Sequence, residues 1–184
     1  MALTESRDLP LGMPCPDFRL RAVDGSTVAR DDFRDRAALV VMFICNHCPY
    51  VQAVEDRIIA LAREYQPKGV RFVGICSNDP AGYPDDAPPR LLARWRDKGY
   101  GFPYLVDDTQ SVARAFDAVC TPDIYVYDRA GRLAYHGRID DNWQDEKKVK
   151  RRELAAALDA LVAGQKPAAE QLHSIGCSIK WRKG

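Results

Sequence analysis

Two cysteines in the tetrapeptide Cys45-Asn46-His47-Cys48 are the residues of this chain best suited to chemistry. Two residues between sulfurs is a spacing that closes a disulfide with little backbone movement. The pair follows an apolar run, Ala38 to Cys45, and precedes a stretch in which Val51, Val54, Ile58, Leu61 and Tyr65 recur at helical spacing. That places it where a buried strand gives way to an amphipathic helix. First-turn amides there lack intrahelical partners and the helix end carries partial positive charge, so a thiolate is stabilised relative to a thiol. Cys45, first in the pair and nearer the solvent-facing end, reads as the nucleophile. Cys48, one turn in and followed by Pro49, reads as the resolving thiol, and His47 adds positive charge between them when protonated.

Thr121-Pro122 is the second signal. A proline entering the strand-like run at Ile124 must sit where no amide donor is needed, which would leave a backbone edge open to an extended substrate.

The elements that must position these residues follow from pattern. Phe18 to Val28 contains an Asp24-Gly25 turn between two extended runs and reads as a hairpin. Ala38 to Cys45 and Val70 to Cys76 read as doubly covered strands, the helix between them ending near Pro67 and Gly69. Ser77 to Pro89, dense in Pro, Gly and Asp, reads as a surface loop. A helix from Leu91 stops at Gly99, a brief strand covers Tyr104 to Val106, and a short helix spans about Ser111 to Asp117. Ile124 to Tyr127 and Leu133 to His136 flank a turn at Asp128 to Gly131, and a last helix is expected from about Asp145 to Ala163. The order implies an α/β fold with a central mixed sheet, helices on both faces and an N-terminal β-hairpin extension. One domain over residues 1–164 with a packed tail, 165–184, is the expected organisation.

Lys plus Arg number 27 against 26 Asp plus Glu, a balance that offers no long-range field for nucleic acid. The longest apolar run falls far short of a bilayer span, and the first residues lack an export signal's apolar core, so a cytoplasmic protein without membrane association is expected. Six cysteines in such a chain argue against a static disulfide framework. No cofactor is expected.

FICNHCPYV at the strand-to-helix junction, the N-terminal GMPCPDFRL, CTPDIYVYD, YHGRIDDN and the tail GCSIKW together resemble the thioredoxin-fold redoxins, in particular the peroxiredoxin-like, alkyl-hydroperoxide-reductase-related branch. The resemblance spans nearly the whole chain. It implies a thioredoxin-like fold, redox-active Cys45 and Cys48, and Pro122 as a cis-proline facing the pair. Peroxiredoxins similarly place a cysteine before a proline, here Cys48-Pro49; their Thr three residues earlier is Cys45 in this chain, and their Pro seven earlier is Val41. Thioredoxins keep a buried carboxylate in the strand before the pair, and Leu39 to Ile44 holds none.

The residues therefore point to thiol–disulfide exchange on protein or small-molecule disulfides, fed by a thiol electron donor, with Cys45, Cys48, His47 and Pro122 as the site. A thiol-dependent peroxidase and a copper or zinc carrier using His47 with the two sulfurs are the alternatives. Cys76 and Cys120 read as core residues bordering the pair, and Cys177 as tail packing with Ile175, Ile179 and Trp181, the other reading being a mobile thiol that visits the centre. His136 and His173 read as hydrogen-bonded or surface residues. Arg138, Asp140 and Asp141 read as a solvated turn rather than a substrate-facing cluster, and Lys147 to Arg152 as a solvated basic face.

Lowering the nucleophile from about 8.5 to about 7 raises its thiolate fraction at neutral pH roughly 15-fold but cuts intrinsic nucleophilicity about 5-fold, so attack gains only about threefold. The larger consequence is a better leaving group and a more oxidising couple. A redox titration against glutathione is expected to place the pair above about −270 mV; a value at or below that contradicts the electrostatic reading.

Overall fold

The computed structural model describes residues 3–183. Strand β1 (Leu3–Glu5) precedes a hairpin of β2 (Arg19–Ala22) and β3 (Thr27–Ala29), turned at Asp24-Gly25 as expected, with Gly25 at φ 92°. Then come β4 (Ala38–Phe43), α1 (Pro49–Tyr65), β5 (Val70–Cys76), α2 (Pro88–Lys98), β6 (Tyr104–Val106) and α3 (Ser111–Ala115). Strands β7 (Cys120–Thr121), β8 (Asp123–Asp128) and β9 (Leu133–His136), helix α4 (Glu153–Val162) and β10 (Ile175–Ser178) complete the chain.

Seven strands form the main sheet in the order β3-β2-β6-β5-β4-β8-β9, parallel across β4, β5 and β6 and antiparallel elsewhere. Every residue of β4 is buried because the strand is central and covered on both faces. Its side chains alternate between two cores. Ala38, Val40 and Met42 join α1, α4 and Leu91 of α2 on one face, whereas Leu39, Val41 and Phe43 join Phe18, Phe33 and the α3 residues on the other. Helices thus lie on both faces of a mixed sheet, as the sequence pattern implies, and the hairpin is continuous with that sheet through the β2–β6 pairing.

Helix α1 buries the stripe Val51, Val54, Ile58, Leu61 and Tyr65. It also buries a charge: Glu55 is held by Arg94 of α2 at 2.6 and 2.7 Å and by the Tyr100 hydroxyl at 2.6 Å, which fixes α1 against α2. Among the described residues no helix is long and apolar enough to cross a membrane.

Three expectations require correction. The last helix begins at Glu153 rather than near Asp145; Glu146–Lys148 forms only a single 3-10 turn, and Lys147, Lys148, Lys150, Arg151 and Arg152 would stack like charges at helical spacing had the helix started earlier. The segment Ser77 to Pro89 is not simply a surface loop, since Ser77, Asn78 and Asp86 are buried and a 3-10 turn, Pro84–Asp86, packs inward. The edge at Thr121 is not open: β10 pairs antiparallel with β7 and with β1, forming a second sheet of three strands, each too short for a period-two pattern to stand out in the sequence.

Leu39 is fully buried in β4. Leu39→Ala is expected to destabilise the fold by about 2–5 kcal/mol through lost burial and the residual cavity, read from urea denaturation midpoints at unchanged slope.

Candidate active site

The sheet register assembles the site. Phe43 of β4 is the cross-strand partner of Asp123 of β8, so the residues that leave β4, Ile44 and Cys45, stand opposite those that enter β8, Thr121 and Pro122. The Thr121-Pro122 bond is cis. Cys45 Sγ lies 3.3 Å from Thr121 Oγ1, and Cys48 Sγ lies 3.1 Å from the Thr121 carbonyl oxygen. Both cysteines and the residue before Pro122 are thereby brought together, while both sulfurs are closed to solvent: Cys45 is 1% exposed and Cys48 0%. The expectation that Cys45 stands nearer the solvent-facing end is corrected, because Ile44 and Cys45 continue the buried course of β4.

The turn between the cysteines is clamped from the segment expected to be a surface loop. Asp86 Oδ1 accepts from the Asn46 amide at 2.8 Å and the His47 amide at 3.2 Å, and its Oδ2 meets His47 Nδ1 at 2.5 Å and Asn78 Nδ2 at 2.8 Å. The Asn46 side chain donates to the Asp85 carbonyl at 3.0 Å, and Gln52 of α1 donates to the Asn46 carbonyl at 2.7 Å. The His47 ring packs on Tyr83 with centroids 4.4 Å apart. Asp86 is the functional neighbour that sequence reasoning missed; the only signal was an acidic pair, Asp85-Asp86, inside a Pro-rich segment, and that pattern is common on surfaces.

Electrostatics separate the two sulfurs. Cys48 is the N-cap of α1, and its thiol is drawn well below the ordinary range, chiefly because the Cys45 thiol donates to it and with support from the Cys177 thiol, the Val51 amide and the Thr121 hydroxyl, against the opposing cost of burial. Cys45 moves the other way. Burial pushes it up first, then its role as donor to Cys48, then the Asp86 carboxylate. The Thr121 carbonyl accepts from Cys48 while that thiol keeps its proton. The two sulfurs are thus shifted in opposite directions, Cys48 down and Cys45 up. The His47 ring is paired with Asp86.

A sulfur of Cys45, a ring nitrogen of His47 and a carboxylate oxygen of Asp86 lie within 4.8 Å of one another and are the donors that could hold a soft metal ion. The Asp86 carboxylate, however, is already engaged by four donors.

Beside Pro122 opens a cleft lined by Tyr50, Val54, Arg138, Asp140 and Trp143, with the Tyr50 and Trp143 rings 4.2 Å apart. Arg138, Asp140 and Asp141 thus border the cleft rather than forming a purely solvated turn; Asp140 is buried and bound to Arg57 of α1, and Arg138 reaches Glu153 at 2.6 Å. His136 is buried, bound to Asp123 at 2.8 Å and stacked on Tyr125. Cys76 and Cys120 are buried, and burial pushes both thiols up. Cys177 is buried in the same core cluster as the pair.

Thiolate absorbance near 240 nm, followed across pH in the reduced protein, should show one inflection in the acid range that vanishes in Cys48→Ser. In Cys45→Ala, which removes the largest stabilising donor, the inflection should move to higher pH. An inflection that instead follows Cys45 would reverse the assignment.

Comparison with known proteins bears on the family and the fold. Residues 11–136 match the AhpC/TSA family. An uncharacterized conserved protein of Geobacillus kaustophilus is 46% identical with TM-score 0.96, over 100% of this chain and 98% of that one. A hypothetical protein of Sinorhizobium meliloti 1021 is 41% identical with TM-score 0.94, over 98% of this chain and 100% of that one. A thiol:disulfide interchange protein of Chlorobium tepidum TLS, 20% identical with TM-score 0.59 over 71% of this chain and 87% of that one, shares the fold. No curated protein matches the sequence. With a thioredoxin-like fold and a family match that covers most of its length, the chain belongs to the AhpC/TSA family of redoxins.

Proposed function

We propose that this redox protein is a thiol–disulfide oxidoreductase in which Cys45 and Cys48 cycle between dithiol and disulfide, with Cys48 attacking and Cys45 resolving. The observation that carries the reading is the Cys48 sulfur at the N-cap of α1, brought with Cys45 against the same residue, Thr121, and the downward shift of its thiol supports it. The Cys48 thiolate displaces one thiolate from a substrate disulfide and forms a mixed disulfide. Cys45 then attacks the Cys48 sulfur, its proton passing to the departing thiolate, so that the substrate gains two electrons and the protein holds a Cys45–Cys48 disulfide. A thiol electron donor returns the pair to the dithiol. The ionised Cys48 favours the reduced form and so a comparatively oxidising couple, the direction first attributed to His47.

Pro122 and the cleft beside it orient the substrate, while Asp86 and His47 hold the turn between the sulfurs. Because β10 already occupies the β7 edge, low-molecular-weight disulfides suit the site better than extended protein segments. A pair that must return to the dithiol at each turnover suits a reducing compartment such as the cytoplasm.

One observation favours a second reading. A reactive sulfur that is 0% exposed is reached more readily by a very small oxidant, and hydrogen peroxide attacked by Cys48 would give a sulfenic acid that Cys45 condenses to the same disulfide with loss of water.

Glutathione disulfide and hydrogen peroxide, each in single turnover, separate these readings. With glutathione disulfide, wild type should release two thiols per chain, Cys45→Ser should still release the first, and Cys48→Ser should release none. First-thiol release by Cys48→Ser would refute the division of roles. Micromolar peroxide consuming thiols faster than glutathione disulfide does would favour the peroxidase.

A further inference from the structure

The strand that closes the β7 edge carries a cysteine of its own. In the β7–β10 ladder Cys177 is directly opposite Thr121, and Ser178 opposite Cys120. Directly opposed residues of an antiparallel pair point to the same face, with Cβ atoms about 4.5–5.5 Å apart. Since the Thr121 side chain meets Cys45 on that face, Cys177 stands on the side of β7 where the pair lies, and it belongs to the core cluster that contains both cysteines. Burial first, and then hydrogen bonding to the Cys48 sulfur, push the Cys177 thiol up.

The seat of β10 is built for this approach. A Cβ at Gly176 would fall 1.9 Å from the Thr121 carbonyl oxygen and 3.2 Å from Pro122 Cδ, so only glycine lets the strand lie this close to the pair. Both ends are fastened: the Ser174 carbonyl accepts from the Ser6 amide at 2.9 Å and the Ser174 hydroxyl donates to the Gly137 carbonyl at 2.8 Å, while the Ile179 amide donates to the Val119 carbonyl at 2.9 Å and the Lys180 amide to Asn78 Oδ1 at 2.8 Å. Cys177 is therefore a fixed neighbour of the pair, not a thiol on a mobile tail.

We propose that β10 is a tethered partner strand and that Cys177 is a third redox thiol, forming a Cys48–Cys177 disulfide as an alternative to Cys45–Cys48. In the exchange, the Cys177 sulfur attacks Cys48 in a mixed disulfide or in the Cys45–Cys48 disulfide. The Cys48–Cys177 bond forms as the older bond to Cys48 breaks, and the proton of Cys177 passes to the sulfur that leaves, with no net change in oxidation between the two protein disulfides. The inference deepens the reading of Cys48 as the reactive sulfur, but its test does not depend on turnover.

Full-length Cys45→Ser is treated with diamide, which joins neighbouring thiols as it takes up two electrons and two protons, then alkylated in denaturant and mapped by mass spectrometry without reduction. The expected result is a peptide containing Cys48 linked to one containing Cys177, absent in Cys45→Ser/Cys177→Ser. Recovery of both cysteines alkylated, or of Cys48 linked elsewhere, overturns the proposal. Should Cys45→Ser fold poorly, wild type under limiting diamide decides: a Cys48–Cys177 peptide beside the Cys45–Cys48 one supports the third thiol, and its absence refutes it. Failure of wild type to reduce glutathione disulfide would count against the oxidoreductase reading alone, whatever the mapping shows.

Discussion

Contact between Thr121 and the two sulfurs is the constraint on which the remaining architecture depends. One residue offers its hydroxyl to Cys45 and its carbonyl to Cys48, and it can do so only because β4 and β8 run antiparallel in a register that brings the end of one strand to the start of the other. A slip of one residue would turn Thr121 away and send the alternating β4 side chains to the wrong cores. The apolar packing on both faces of β4 therefore does more than stabilise the fold. It holds the register that holds the sulfurs.

The turn between the cysteines is set by charge as well as by packing. A buried carboxylate, Asp86, receives two amides of that turn and the imidazole of His47, and such a group is tolerated inside only because its lone pairs are filled. Its negative charge falls on the Cys45 side, where it opposes ionisation, whereas the first turn of α1 favours ionisation at Cys48. The pair is asymmetric because burial, the hydrogen bond to Cys48 and then the carboxylate raise Cys45, whereas the Cys45 and Cys177 thiols and the Val51 amide lower Cys48 against its burial.

Closure of the β7 edge by β10 gives the site a different character from an open docking groove. The backbone groups beside Pro122 are satisfied by the chain itself, and Gly176 permits an approach that any side chain would block.

Much of the fold was legible in the sequence. Long apolar runs bounded by turn residues located β4 and β5, helical spacing located α1, and the Asp24-Gly25 and Asp128 to Gly131 turns located both hairpins, because period and turn chemistry are local properties. The spacing of Cys45 and Cys48 at a strand–helix junction, and the proline at 122, marked the candidate site for the same reason. What the sequence could not convey were relations between distant segments. That Asp86 is buried, that Arg138 and Asp140 border a cleft, and that β1 and β10 build a second sheet over Cys48 all depend on which segments pack together. The opposite shifts of the two sulfurs have both origins: the pair itself and the adjacent Val51 amide are local, whereas burial and the approach of Asp86 to Cys45 and of Thr121 and Cys177 to Cys48 exist only once the fold has gathered distant segments round them, because a buried thiol takes its charge state from the donors and carboxylates beside it.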